Sequence, residues 1–248
     1  MNQFRAQRFN ILPTIVKNLL IINCLLFLAK ITLINQGVSL DHILGLHYWK
    51  SSYFETWQII SHMFMHGDIM HLFFNMFAVW MFGSQLENLW GSKRFLNYYL
   101  LTGLGAAFLH FLIIHFQILD IESVMNDFNI QHVTEKGHLI LNEGKNYTNR
   151  NMNMKHLNLL YNTPVVGASG ALFGLLMAFG ILFPNTMMFF LFIPFPIKAK
   201  YFVLIYGLAE LYYGIQNNPN DNIAHFAHLG GMIFGFLIIK YWSWKNKY

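Results

Sequence analysis

The chain has 248 residues, of which 55% are hydrophobic, 17% aromatic and only 11% charged. An average soluble domain carries roughly 25% charged residues. The composition therefore excludes a disordered chain, argues against a soluble enzyme and points to a polytopic membrane protein. The formal net charge of +5 would suggest nucleic acid in a soluble protein, but here the positions of the charges carry more meaning than their sum.

A bilayer core of about 30 Å needs roughly 20 helical residues, and its lack of hydrogen-bond partners makes helices the expected elements. Six apolar stretches meet or approach that length. Span 1 covers about residues 13–34, span 2 about 69–86 and span 3 about 94–116. Span 4 covers about 169–184, span 5 about 200–216 and span 6 about 224–244. The N-terminal stretch carries Arg5, Arg8 and Lys17, and no small-residue cleavage pattern follows the apolar run, so span 1 reads as an uncleaved signal-anchor helix. The one cysteine, Cys24, excludes an intrachain disulfide and reads as a small buried residue in that span.

Residues 117–160 interrupt the apolar text with a polar, Asn-rich stretch. Ile130 to Thr134 and His138 to Leu141 flank Glu135-Lys136-Gly137, which suggests either a small β-hairpin or a plain linker. With the N-terminus inside, the inner segments hold Arg5, Arg8, Lys17, Lys93, Arg94, Lys198, Lys200, Lys240, Lys245 and Lys247, against the single acid Glu87. The outer segments hold Asp41, Glu55, Asp68, Asp120, Glu122, Asp127, Glu135, Glu143 and Asp221. This positive-inside pattern puts both termini in the cytoplasm. The expected organisation is an N-terminal cytoplasmic segment (1–12), a six-helix domain (13–244) with an outer insertion at about 117–160, and a short tail (245–248).

Three groups of polar residues stand in this apolar text. Gly167-Ala168-Ser169-Gly170 opens span 4, where a helix N-terminus offers free N–H groups and a positive dipole end beside a serine. Such a place suits an oxyanion, although Ser169 could also be a simple N-cap among small residues that pack helices tightly. Ala224-His225-Phe226-Ala227-His228-Leu229-Gly230-Gly231 opens span 6. An imidazole there can serve as a general base for a serine, or be satisfied by a neighbouring carbonyl. Gly170 and Gly174 on span 4, and Gly231 and Gly235 on span 6, have the spacing that lets two helix backbones approach closely. If those faces meet, Ser169 and His228 lie together near the outer end. In the third group, His71 and Asn75 are i,i+4 on one face of span 2, and both can donate to a developing negative oxygen. His62 and His66 leave a metal site as a competing reading. Glu210 is an acid inside span 5 with no visible partner, which favours a protonated or hydrogen-bonded structural role.

Together these residues resemble the rhomboid family of intramembrane serine proteases. The likeness runs from about residue 14 to 244. It rests on His62-x3-His66-x4-His71-x3-Asn75, the Glu87…Gly91-Ser92 turn, Gly167-Ala168-Ser169-Gly170 and Ala227-His228-Leu229-Gly230-Gly231, in that order on six spans. The resemblance implies an all-α membrane protein with a six-transmembrane-helix, rhomboid-like bundle. It implies a catalytic Ser169–His228 dyad and an oxyanion hole from His71, Asn75 and the Ser169 N–H. Gly167, Phe173 and Gly231 would pack the site. Two departures stand out: Trp57 is followed by Gln58 where the family often has arginine, and Phe173 stands where it often has a tyrosine stacked on the histidine. No acid near His228 in sequence suggests a third member, Asp221 being seven residues upstream in a loop.

The implied activity is endoproteolysis of transmembrane-helix substrates near the outer face, with no cofactor, no metal and no nucleic acid. The expected setting is a lipid bilayer, as a multi-pass protein of a bacterial inner membrane. Two other functions compete: a catalytically inactive relative that binds membrane proteins, and a metal hydrolase or transporter built on the histidines. Length adds a geometric expectation. Ser169 to Phe183 is 15 residues, about 22 Å of helix, which is about 8 Å short of a ~30 Å core. Ser169 should then lie below the outer surface, beneath a loop that dips inward to line a polar cavity.

Overall fold

A computed structural model describes residues 9–190, 193–216 and 223–245. Arg5, Arg8, Asp221 and Lys247, used above for orientation and for the triad question, lie outside the described residues. The fold is helical. In chain order the helices are α1 (Thr14–Ile34), α2 (Leu40–Leu44), α3 (Gln58–Ser61), α4 (Ile69–Trp90) and α5 (Ser92–Ser123). They continue as α6 (Asp127–Asn142), α7 (Met152–Asn162), α8 (Ser169–Leu182), α9 (Ala199–Gln216) and α10 (His225–Lys245). Helices α1, α4, α5, α8, α9 and α10 take the places of the six expected spans. Four of them, α1, α4, α5 and α10, are long and apolar enough to cross a membrane by themselves.

Local chemistry sets the helix ends. Asp68 caps α4 by accepting from the His71 backbone N–H at 2.9 Å. Gly91, at φ +79°, is both the C-cap of α4 and the N-cap of α5, a conformation that a side chain would strain. The first turn of α1 has no cap of its own. The buried Glu87 of α4 supplies one, accepting from the N–H groups of Ile15 (3.0 Å) and Val16 (2.9 Å) and from the Ser92 hydroxyl (2.6 Å). Two helix-end donors that lipid could not satisfy are thus paired across the bundle.

Helix α8 is the centre. Ten of its 14 residues are buried, as expected of a helix that is apolar all round. It packs against α4, α5, α9 and α10, while α10 also packs along α5 and α1 covers α4. The glycine faces foreseen on α8 and α10 do meet. A Cβ at Gly231 would fall on the Gly170 carbonyl oxygen, and one at Gly235 would approach Gly174 Cα at 3.2 Å.

Two expectations are corrected, and one element is added. The stretch 117–160 is neither hairpin nor plain linker: α5 runs on to Ser123, and α6 and α7 form a helical pair. Asn126 caps α6 by accepting from the Asn129 N–H at 2.8 Å. The residues read as strands lie inside that helix, with Val133 buried and Gly137 packed on the Asn158 side chain. Tyr48, Ile118, Val133, Met154, Leu157 and Tyr161 form a second, smaller core beneath it. Cys24 is exposed on the outside of α1 rather than buried. Between α8 and α9, strands β1 (Met187–Phe190) and β2 (Ile193–Lys198) pair antiparallel, with Met188 opposite Ile197. No turn signal in the sequence had announced them.

The close approach of α8 and α10 generates a test. Gly231→Val forces the two backbones apart and should destabilise the protein by roughly 1–3 kcal/mol or more, read as a lowered thermal midpoint in detergent. Ala at the exposed Cys24 should leave that midpoint unchanged.

Candidate active site

The segment leading into α8 is held from both sides. Leu46 and Val165 exchange backbone hydrogen bonds at 2.9 Å each, and the Gly167 N–H donates to the His62 carbonyl at 2.9 Å. Gly167 has φ +139°, and a Cβ there would sit 3.0 Å from the His71 ring and 3.4 Å from Ser169 Oγ. A glycine at 167 therefore keeps open the space between His71 and Ser169. Ser169 is the first residue of α8, so its N–H is one of the four at a helix start with no intrahelical acceptor.

The loop that carries His62 is itself anchored. Gln58, in the place of the missing arginine, is buried. Its side-chain oxygen accepts from the His47 N–H at 3.2 Å, and its amide donates to the Tyr53 carbonyl at 2.9 Å. Trp57 Nε1 donates to the Ile43 carbonyl at 2.9 Å. Lys30, near the C-terminal end of α1, donates to the carbonyls of His66 (2.8 Å) and Gly67 (2.7 Å) and pairs with Asp41 at 2.7 Å. Lys30 escaped the sequence analysis. A lysine inside an apolar span was the available signal.

The structure brings the predicted residues together. Ser169 Oγ and His228 Nε2 are 2.8 Å apart. Phe173, one turn along α8, stacks on the His228 ring with centroids 4.2 Å apart and planes 6° apart, so the aromatic face survives without the tyrosine hydroxyl. His71 Nδ1 accepts a long bond from the Gly67 N–H at 3.4 Å, which leaves the proton on Nε2, on the side facing Gly167. Asn75 is buried and donates to the His71 carbonyl at 3.0 Å. Gly231 lies against Gly170, the residue after Ser169.

A cavity of about 1660 Å³ opens onto these groups. Phe74 and Phe77 of α4 form one wall, Phe202 and Tyr206 of α9 another, and Ser169 and His228 line its interior. The wall is apolar while Ser169 and His228 are polar, as in a site that takes an apolar ligand and fixes it through a few polar groups. α8 has 14 residues, about 21 Å. That is about 9 Å short of a ~30 Å core.

Two expectations change here. His62 and His66 do not converge on a metal site: His62 Nδ1 donates to the Gln58 carbonyl at 2.8 Å, and His66 packs edge-on against His71. Among the described residues, the acid and imidazoles that do converge are Glu210, His225 and His228. Glu210, which had no visible partner in sequence, has Oε2 2.6 Å from His225 Nδ1 and 2.9 Å from His228 Nδ1. The signal for it was present in retrospect: two histidines three apart on one helix face, opposite an intramembrane acid.

Residues 53–245 match the family model described as Rhomboid domain. Rhomboid protease GlpG of Yersinia pestis (strain Pestoides F) is 32% identical over 76 residues, covering 31% of this chain and 26% of that protein. Rhomboid protease GluP of Bacillus subtilis is 37% identical over 57 residues, 23% of this chain and 11% of that protein. An uncharacterized mitochondrial rhomboid protein of Schizosaccharomyces pombe is 35% identical over 92 residues, 35% of this chain and 23% of that protein. The matched stretches thus span between 11% and 26% of these relatives' own length.

The loop predicts a pH dependence. Burial pushes His62 down to about 4 and His66 down to about 3, the latter helped by His71 and Lys30. The unfolded chain takes up these protons near pH 6.5, the folded protein only well below. Their contribution to stability is therefore complete above about pH 6.5 and declines as pH falls from there toward 4 and 3. The thermal midpoint should drop between pH 7 and pH 5, and the drop should be smaller in His66→Phe.

Proposed function

The chain belongs to the rhomboid family, and from that premise we propose that it is an intramembrane serine endopeptidase in which Ser169 is the nucleophile and His228 the general base. The observation that carries this reading is the 2.8 Å approach of Ser169 Oγ to His228 Nε2, at the start of a short central helix and beside a cavity large enough for a peptide segment. The serine hydroxyl donates to Nε2. As Oγ attacks the scissile carbonyl, the proton passes to His228, which then returns it to the leaving amine.

The tetrahedral intermediate carries a negative oxygen. The Ser169 N–H, the His71 Nε2–H and the second N–H of the Asn75 amide are its donors, and the N-terminal dipole of α8 adds to them. Gly167 leaves room for that oxygen. Phe173 holds the plane of the imidazole, and Gly231 lets α10 come close enough for His228 to reach the serine.

The substrate class follows from the surroundings. A site below the outer surface of the bilayer, reached between the apolar walls of α4 and α9, suits a transmembrane helix. A helix hides its peptide bonds in hydrogen bonds, so residues that weaken it, such as Gly or Pro near the cut, favour cleavage. The excess of Lys and Arg in the segments opposite the site supports cytoplasmic termini. A bacterial inner membrane is the setting we propose, and the same orientation argument holds for a mitochondrial one. The α6–α7 pair stands directly before the nucleophile and is proposed to influence which substrates reach it.

Incubation with membrane-helix substrates tests the reading. Ser169→Ala and His228→Ala should each abolish cleavage. His71→Ala or Asn75→Ala should lower kcat about 10²–10³-fold, the cost of one oxyanion donor. A fluorophosphonate should label the wild type but not Ser169→Ala. Cleavage that survives Ser169→Ala would overturn the assignment.

A further inference from the structure

The Ser169–His228 pair does not end at the histidine. His228 Nδ1 lies 2.9 Å from Glu210 Oε2, and the same oxygen lies 2.6 Å from His225 Nδ1. Glu210 is buried, at 5% exposure, within α9. His225 and His228 are three residues apart in the first turn of α10, so both present their rings to α9. Resting on the protease reading above, we propose that Glu210 is a positioning residue for the reaction, the third member of a Ser169–His228–Glu210 array assembled from α8, α10 and α9.

Hydrogen-bond chemistry supports the assignment. An ionised carboxylate only accepts. Its partners must both be N–H groups, which puts the His228 proton on Nδ1 and leaves the lone pair on Nε2. That is the tautomer a base needs, because Nε2 then accepts from the Ser169 hydroxyl. The opposite tautomer would set an Nε2–H against the hydroxyl and a lone pair against the carboxylate. One oxygen thus selects the working form of the ring. When the serine proton arrives, His228 becomes an imidazolium 2.9 Å from an anion, in a water-poor site where such an attraction is strong. His225 has its own place in this scheme. Its N–H holds the carboxylate on the α10 side of α9, and it helps satisfy a charge that lipid could not.

The same three side chains could be taken for a metal site. Two ligand atoms bound to one tetrahedral zinc at 2.0–2.1 Å stand about 3.3 Å apart. Separations of 2.6 and 2.9 Å are those of charge-assisted hydrogen bonds.

The test uses the full-length protein in nanodiscs with a membrane-helix substrate, and Glu210→Gln and Glu210→Asp beside Ser169→Ala. Glu210→Gln keeps the shape, removes the charge and can present an N–H to Nδ1. It should lower kcat by roughly 10²-fold or more, with KM within twofold and an unchanged thermal midpoint. Glu210→Asp should recover part of the loss. The rate of fluorophosphonate labelling at Ser169 should fall in parallel, a readout that needs no substrate. Glu210→Gln activity and labelling within threefold of wild type would overturn the proposal. So would a loss that tracks a lowered midpoint without recovery in the aspartate variant, or activity abolished by a chelator. Cleavage that persists in Ser169→Ala, or a wild type that Ser169-directed probes never label, would instead remove the protease reading itself, and this proposal with it.

Discussion

A bilayer offers a buried polar atom no partner, so each one must find its partner within the bundle. That constraint organises the whole molecule. Glu87 is inside to close the start of α1. Asn23, buried in the middle of α1, donates back to the Leu19 carbonyl at 2.7 Å, and the Tyr98 hydroxyl donates to the Gly174 carbonyl at 2.8 Å. Lys30 spends its ammonium on two loop carbonyls and Asp41. The Ser169–His228–Glu210 array is the same solution carried further: serine, imidazole and carboxylate satisfy one another in series.

Packing and chemistry are coupled through glycine. The contact between Gly170 and Gly231 brings α8 and α10 to backbone distance, and this sets how far His228 must reach to Ser169. The open space beside Gly167 does the same for His71. The Leu46–Val165 bridge and the Gly167–His62 bond tie the segment leading into α8 to the loop that Gln58 and Lys30 hold in place. A shift in that loop moves Gly167 beside His71, while a shift in α9 moves His228 through Glu210. The two sides of the proposed site are thus supported by different parts of the fold.

The six spans were legible because each is a long apolar run, a property read along the chain alone. Ser169, His228, His71 and Asn75 were legible for a related reason: polar residues with recognisable spacing are conspicuous against such text. The partnership of Glu210 with His228 was not, since periodicity gives the faces of a helix but not which neighbour each face meets. The α6–α7 pair was missed because its apolar positions are few and interrupted by Asn and Gly. Its helical register becomes clear only once Val133 and Gly137 are seen packed on α7. The β1–β2 hairpin joins two spans through Phe- and Pro-rich text whose hydrophobicity resembles that of the spans. Phe173 stacks on the His228 ring all the same, because stacking needs a ring, not a hydroxyl.

One feature of this arrangement bears on how the protein is made. Ser169 and His228 are 59 residues apart, with α9 and its carboxylate between them. At about 5–20 residues per second, a ribosome that has delivered Ser169 needs roughly 3–12 s to deliver His228. Throughout that interval the serine has no imidazole beside it. On the proposed reading, the nascent chain lacks its reacting pair until α10 is made and docks, so the order of synthesis itself delays competence.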